Sequence, residues 1–200
     1  MTGWSFLIVA AGRGKRFGGH PKQFEDLGGL PLWAWSAGTA VKMKNAGVDR
    51  IVLVAPPGME TFLEKEASSF RKEMEVCVVA GGDSRRDSVL FGLKAAKEDM
   101  VMIHDAARPF VSAALCRRIM DKAGEEGSAI PALPVTDALK SARGGVIISS
   151  VPREDLLATQ TPQAYPVVEI RSVLEKTPGK IRDEAEAWLA SGRVPGWVRG

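Results

Sequence analysis

Short apolar runs at residues 5–9, 49–57, 74–82, 99–110 and 128–135 alternate along this chain with segments of helical character. The helical segments cover residues 32–44, 59–73, 84–97 and 113–123; in the second, Phe62, Leu63, Ala67 and Phe70 recur at helical spacing, and Ser84 is placed to cap the third. This β-α-β-α rhythm constrains the fold strongly. Strands buried on both faces need helices above and below them, which gives an α/β, doubly wound, Rossmann-like and mostly parallel sheet. In such sheets ligands bind outside the carboxyl ends of the strands. Four polar or Gly-rich segments fall there: AAGRGKR after the first run, GGDSRRDS after the third, HDAARP after the fourth and PVTDALK after the fifth. They are expected to converge on one crevice.

The first of these segments is the most chemically loaded. Gly12, Gly14, Gly18 and Gly19 allow a tight turn that brings backbone N–H groups close to a ligand, and Arg13, Lys15, Arg16 and Lys22 charge it positively before the first acid, Glu25. Such a turn suits a polyphosphate. It matches neither the dinucleotide fingerprint, whose third glycine would come one residue earlier, nor the P-loop, which needs GK followed by Ser or Thr. Taken alone, it is equally compatible with a flexible turn carrying solvated charges.

Composition removes several function classes. The 200 residues suffice for one domain with a sizeable core, and the net charge of +3 is not gathered into the stripe or tail that nucleic-acid binders display. Cys77 and Cys116 lack a CxxC spacing, which points to free thiols in a reducing compartment, and two histidines make a His/Cys zinc site a poor fit. No apolar run reaches the length of a membrane span, and the positive charge near the N-terminus follows the apolar run where a signal peptide has it before; a cytoplasmic protein is expected.

Residues 136–165 break the rhythm. Arg143-Gly144-Gly145 reads as the turn of a β-hairpin, with 138–158 as a protruding arm, whose alternative is a surface hairpin without a partner. QTPQAYP (160–166) reads as a Pro-punctuated loop, 167–175 as a helix and 183–190 as a last helix closed by Gly192. Asp105 ends an apolar run with its carboxylate toward the crevice. There it is a helix cap or a partner for Arg108, or, beside a triphosphate, a ligand for magnesium. Strand alternation turns His104 to the opposite face and a structural role. Gly81 and Gly82 permit close approach to a flat base, and Ser88 offers a hydrogen bond; Asp83 or Ser84 would equally serve as a plain helix cap. Arg85 has no evident place beyond a structural one.

Together AAGRGKRFGGHPKQF, GGDSRRDSVLFGL, HDAARPFV, PVTDALK and ATQTPQ, in that order over residues 5–190, resemble the 2-C-methyl-D-erythritol 4-phosphate cytidylyltransferase family. The resemblance implies a nucleotidyltransferase-type fold and transfer of CMP from CTP to methylerythritol phosphate with Mg²⁺, in the non-mevalonate route to isoprenoid precursors. It implies Arg16 and Lys22 as the catalytic cations on the triphosphate. Cytosine selection falls to Gly82, Asp83, Ser88 and the Ala10–Ala11 backbone, with Gly12 and Gly14 in the nucleotide loop and Asp105 near the metal. Arg108, Arg153, Thr161 and Asp137 fall on the side of the acceptor phosphate, with the arm crossing to a second subunit of a homodimer.

Three departures accompany the resemblance. Ala138 stands where the family has threonine, Arg182 where many members have threonine or aspartate, and the chain stops at Val198-Arg199-Gly200, before the family's N-x-K-[IV]-T lysine. The end of the single domain is therefore expected beyond residue 200. The alternatives are a cytidylyltransferase for ribitol phosphate or a similar polyol phosphate, and a nucleotide-binding paralogue with weakened turnover. A Rossmann dehydrogenase fits less well, since Ala55-Pro56-Pro57 stands where a ribose-binding acid belongs.

Overall fold

Side chains of the first strand, β1 (Trp4–Val9), alternate between two apolar layers: Trp4, Phe6 and Ile8 enter one, Leu7 the other. The computed structural model describes residues 2–12, 14 and 21–200. After β1 come a two-stranded ribbon, β2 (Asp26–Leu27) and β3 (Leu30–Pro31), then α1 (Leu32–Lys42), β4 (Val48–Ala55), α2 (Glu60–Glu66), β5 (Glu75–Ala80), α3 (Arg85–Ala95), β6 (Met100–Asp105), α4 (Ala113–Glu126) and β7 (Ala129–Pro134). The remainder is β8 (Leu139–Arg143), β9 (Val146–Val151), β10 (Leu157–Thr159), β11 (Gln163–Pro166), α5 (Val167–Lys176), α6 (Glu184–Ala190) and β12 (Gly196–Arg199).

β1 lies between β4 and β6 in parallel register, and β5 extends the parallel run beyond β4. Val9 pairs with both Val54 and Asp105, so these three strands end at one level and their following loops share one rim. On the other side β11 inserts antiparallel between β6 and β7. Ala132 of β7 pairs with Thr159 of β10 and with Arg199 of β12, which places β10 and β12 on opposite edges of β7. α1 and α4 cover one face through Trp33, Ala37, Cys116 and Ile119; α3, α5 and α6 cover the other through Val89, Leu93, Ile170, Leu174 and Trp188. Each large apolar side chain buried in these layers stabilises the fold by roughly 1.5–3 kcal/mol.

The α/β, mostly parallel architecture agrees with the alternation read from the sequence. Ser84 caps α3 by accepting from the Asp87 N–H, and β8 and β9 form the expected hairpin around Gly144-Gly145. Three segments differ. The helix expected over 59–73 is α-helical only to Glu66 and tightens into a 3₁₀ helix over Ala67–Lys72, where Ser68 and Ser69 favour the backbone less well as helix interior. Residues 163–166, expected as loop, form β11, because Ala164 and Tyr165 are fully buried against β6 and β7. Residues 196–199, to which the sequence assigned no element, add β12 to the sheet. Cys77 and Cys116 are both free, and among the described residues no helix is long and apolar enough to cross a membrane.

Candidate active site

Three of the four strand-end segments meet around a cleft of about 830 Å³ lined by Ala11, Gly12, Gly14, Lys22, Gln23, Gly82, Asp83, Ser84, Arg85, Ser88, Asp105 and Arg108, among others. Strand register brings them together. Backbone hydrogen bonds from Ala10 N–H to the Val54 carbonyl, from Gly81 N–H to that of Ala55 and from Ala106 N–H to that of Val9 carry the sheet ladder one residue past the strands. A second cleft of about 550 Å³ shares Lys22, Ala107 and Arg108 with the first and extends past Leu27, Phe110, Leu115 and Thr161. Lys22 and Arg108 thus stand at the border between two spaces.

Gly14 supplies a conformation that a tight turn here requires. Gly14 takes φ of +63°, in the left-handed region that L side chains rarely adopt. Arg16, with Arg13, Lys15, Gly18 and Gly19, lies outside the described residues. A residue that sequence reasoning passed over holds this segment: the buried Gln23 amide donates to the carbonyl of Ala10 and, at 2.7 Å, to that of Gly12. The signal was present in PKQ. Its meaning depends on the 3₁₀ turn Lys22–Phe24 lying against residues 10–12.

The 81–88 turn packs directly on the first segment. A Cβ at Gly81 would lie 2.4 Å from Ala11 Cβ and 3.0 Å from the Ala55 carbonyl oxygen, so only glycine allows this approach. Ser88 is almost fully buried; its hydroxyl accepts from Gly82 N–H at 3.1 Å and donates to the Ser84 carbonyl at 2.9 Å. Asp83 is exposed at the rim.

Asp105 joins the two arginines of the cleft, Arg85 and Arg108. Its Oδ1 accepts from Arg85 Nη1 at 2.5 Å and its Oδ2 from Arg108 Nε at 3.3 Å. Arg85 is clamped in turn by Glu184, which accepts from its Nε at 3.1 Å and its Nη2 at 2.9 Å. Burial pushes the Asp105 carboxyl up, but its neighbours together, chiefly the Arg85 guanidinium, outweigh this and hold it below the usual carboxylate range. Burial raises Glu184, with Arg85 opposing, and Arg85 itself is held above the usual arginine value by the two acids despite its burial. The structural role of Arg85 is thereby specified: it bridges two carboxylates from β6 and α6. Sequence reading could not place it, because Glu184 lies 99 positions away.

His104 is not among the residues lining the first cleft; it is fully buried beside Phe6, in the wall of the second. Thr161 is also buried; its hydroxyl lies 3.0 Å from His104 Nδ1 and accepts from Asp105 N–H at 3.2 Å, while its residue lines the second cleft. Asp137 and Arg153 line neither cleft of their own chain. Both are exposed at the base of the arm, where Arg153 Nη1 donates to the Thr136 carbonyl. The physical reason is β11: by entering between β6 and β7 it sets the loop after β7 two strand spacings, about 10 Å, from the loop after β6.

The donor set fits a hard divalent cation of the kind that keeps water and substrate phosphates as most of its ligands. Such an ion needs only one or two protein carboxylates. Asp105 is ionised and cleft-facing, and each of its oxygens keeps a second lone pair beyond the arginine contact. Among the described residues no group of three or more His, Cys, Asp or Glu side chains gathers as an all-protein metal cage.

A glycine turn, a recess between the 10–12 and 81–88 segments, and an ionised carboxylate flanked by arginines at the carboxyl ends of parallel strands define a nucleotide-handling transferase of α/β fold. The family model for IspD, 2-C-methyl-D-erythritol 4-phosphate cytidylyltransferase, matches residues 5–200. The chain belongs to this enzyme family. A curated 2-C-methyl-D-erythritol 4-phosphate cytidylyltransferase from Halalkalibacterium halodurans is 37% identical over 86% of this chain and 76% of its own length. The bifunctional enzyme IspD/IspF of Chelativorans sp. is 37% identical over 85% of this chain, which spans only 42% of that protein. Among solved structures, the 2-C-methyl-D-erythritol 4-phosphate cytidylyltransferase of Thermus thermophilus superposes with a TM-score of 0.79 at 29% identity, covering 97% of this chain and 87% of that one.

Proposed function

We propose that this chain transfers CMP from CTP to 2-C-methyl-D-erythritol 4-phosphate, yielding 4-diphosphocytidyl-2-C-methyl-D-erythritol and pyrophosphate. The observation that carries this reading is the convergence of the Gly12–Gly14 turn, the 81–88 turn and Asp105 on one cleft whose border residues, Lys22 and Arg108, also face a second. Two substrates, both anionic, need two adjoining spaces with cations between them.

In the reaction an oxygen of the acceptor phosphate attacks the α-phosphorus of CTP, the bond from that phosphorus to the bridging oxygen of the β-phosphate breaks, and pyrophosphate leaves with the electron pair. No proton has to be removed from the nucleophile, so the protein's work is alignment and charge neutralisation. Gly12 and Gly14 present backbone N–H groups to the triphosphate, and Arg16 and Lys22 offset the charge that grows on the leaving oxygens. Gly82, Asp83, Ser88 and the backbone of Ala10 and Ala11 recognise the cytosine, with Gln23 fixing the carbonyls of Ala10 and Gly12. Asp105 would hold the divalent cation, assigned as Mg²⁺, which when bound supplies further neutralisation along the triphosphate. Arg108 draws the acceptor phosphate to the border of the two clefts. Arg153 and Asp137, remote from the clefts of their own chain, are assigned to the acceptor site of a second subunit reached by the β8–β9 arm, whose Val146, Ile147 and Ile148 are all exposed. Thr161 contributes from the second cleft.

The test is pyrophosphate release by the purified protein with Mg²⁺ and CTP, with methylerythritol phosphate in one arm and ribitol phosphate in the other. Release is expected with methylerythritol phosphate. Preference for ribitol phosphate would reassign the acceptor, and release with neither would overturn the catalytic reading.

A further inference from the structure

Arg85 stands between two carboxylates of different character. Asp105 lines the cleft, with its side chain 29% exposed; Glu184 is completely buried. The Nε–Nη2 edge of the guanidinium is committed to Glu184, at 3.1 and 2.9 Å, and only Nη1 reaches Asp105.

Glu184 has little freedom to change this. It opens α6, and the N-terminus of that helix is fastened on several sides. Asp183 accepts from Glu186 N–H at 3.0 Å through one oxygen, and from Thr159 Oγ1 at 3.0 Å and Gln163 Nε2 at 3.1 Å through the other. Gln163 Oε1 accepts from Ala185 N–H at 3.1 Å and from the buried Tyr165 hydroxyl at 2.9 Å. The β10–β11 segment and α6 therefore form a rigid frame behind Arg85.

A guanidinium is a planar fork whose preferred carboxylate geometry is two parallel N–H···O bonds. Released from Glu184, Arg85 would have that geometry open to it on Asp105 and would cover both carboxylate oxygens. We propose that Glu184 is a positioning residue: by occupying the Nε–Nη2 edge of Arg85 it limits that arginine to a single contact with Asp105 and leaves the carboxylate open to a divalent cation bound with CTP, a role that rests on the CTP reading given above. The contact from Arg108, at 3.3 Å and from a half-exposed side chain, is the more easily displaced of the two.

The experiment measures the affinity of Mn²⁺ for the protein–CTP complex, counting free Mn²⁺ by electron paramagnetic resonance, with no acceptor present. Changes to residues behind a metal ligand typically cost about 10–100-fold in metal affinity, and Glu184→Gln is expected to fall within that range. In an Asp105→Asn background the same change is expected to add less than about threefold, since the two residues act through one contact. Arg85→Gln combined with Glu184→Gln removes the fork together with its anchor, and is expected to recover Mn²⁺ affinity to within about threefold of wild type. This neutral pair replaces a buried ion pair, so it also carries the test if the single variant does not fold. Wild-type Mn²⁺ affinity in Glu184→Gln would overturn the role, as would an equal loss in the Asp105→Asn background or a double variant as weak as Asp105→Asn. A wild-type protein that binds no Mn²⁺ with CTP would instead contradict the CTP reading, and this role with it.

Discussion

The hydroxyl of Thr161 lies 3.0 Å from Nδ1 of His104, and a single file of donors and acceptors runs through the pair. Asp105 N–H donates to Thr161 Oγ1 at 3.2 Å, and His104 Nε2 sits 3.0 Å from the Arg108 carbonyl. A carbonyl only accepts, so Nε2 carries the proton and Nδ1 receives the threonine hydroxyl. The backbone at Asp105 and at Arg108, the two charged residues on the β6 side of the cleft, is thus tied to one neutral, buried imidazole.

This tie makes stability acid-sensitive. Burial lowers the His104 pKa to about 4, against roughly 6.5 in an unfolded chain. Between those values the unfolded chain binds the extra proton, so the contribution is fully present above about pH 6.5 and is lost as pH falls toward 4; its size is roughly 3 kcal/mol. Glu184, raised by burial, acts with the opposite sign just above its ordinary range but is common to wild type and variant. Denaturant titrations from pH 7 to 4 should show a steeper loss in wild type than in His104→Asn. Parallel curves would contradict the buried neutral imidazole.

Gln23→Ala removes the amide that holds the Ala10 and Gly12 carbonyls. Leaving buried partners unsatisfied costs about 1–3 kcal/mol. Thermal unfolding should register that loss, and calorimetric titration with CTP should show affinity falling by roughly tenfold, with a smaller change in the acceptor KM. Unchanged CTP affinity would remove Gln23 from the nucleotide site.

Gly81→Ala forces the 81–88 turn away from Ala11, because the added Cβ has no room at 2.4 Å. Overpacking of this kind costs about 1–3 kcal/mol. Discrimination between CTP and UTP should weaken along with stability, whereas a loss of stability with base selectivity intact would separate Gly81 from base recognition.

Lys22→Ala tests the cation at the border of the two clefts. Removing one donor to developing charge costs on the order of 10²–10³ in turnover in well-studied acyl-transfer sites. A kcat loss of that order with CTP binding largely retained is predicted from steady-state kinetics. Intact turnover would show that Lys22 has no part in neutralising the triphosphate.

Much of this site could be read in the sequence because its parts are local. A strand that ends in glycine, a capped helix and an acid at a strand terminus are properties of a few neighbouring residues, and β1, β5 and β6 delivered their loops to one rim as the alternation implied. What stayed hidden depends on distant partners. Arg85 acquires a role only through Glu184, and the insertion of β11 between β6 and β7 depends on burial of Ala164 and Tyr165 between residues that look like a Pro-punctuated loop. That same insertion separates Asp137 and Arg153 from the cleft of their own chain, a placement that spacing along the chain does not encode.

In the proposed reaction the α-phosphoryl group of CTP, with its nucleoside, passes to the acceptor phosphate. Incubation with Mg²⁺, methylerythritol phosphate and CTP labelled at the α-phosphorus tests it most directly. The label is expected to move into a diphosphodiester, one equivalent for each pyrophosphate released, and to stay in CTP when the acceptor is omitted. Label recovered as CMP, or left in CTP while the acceptor is present, would contradict it.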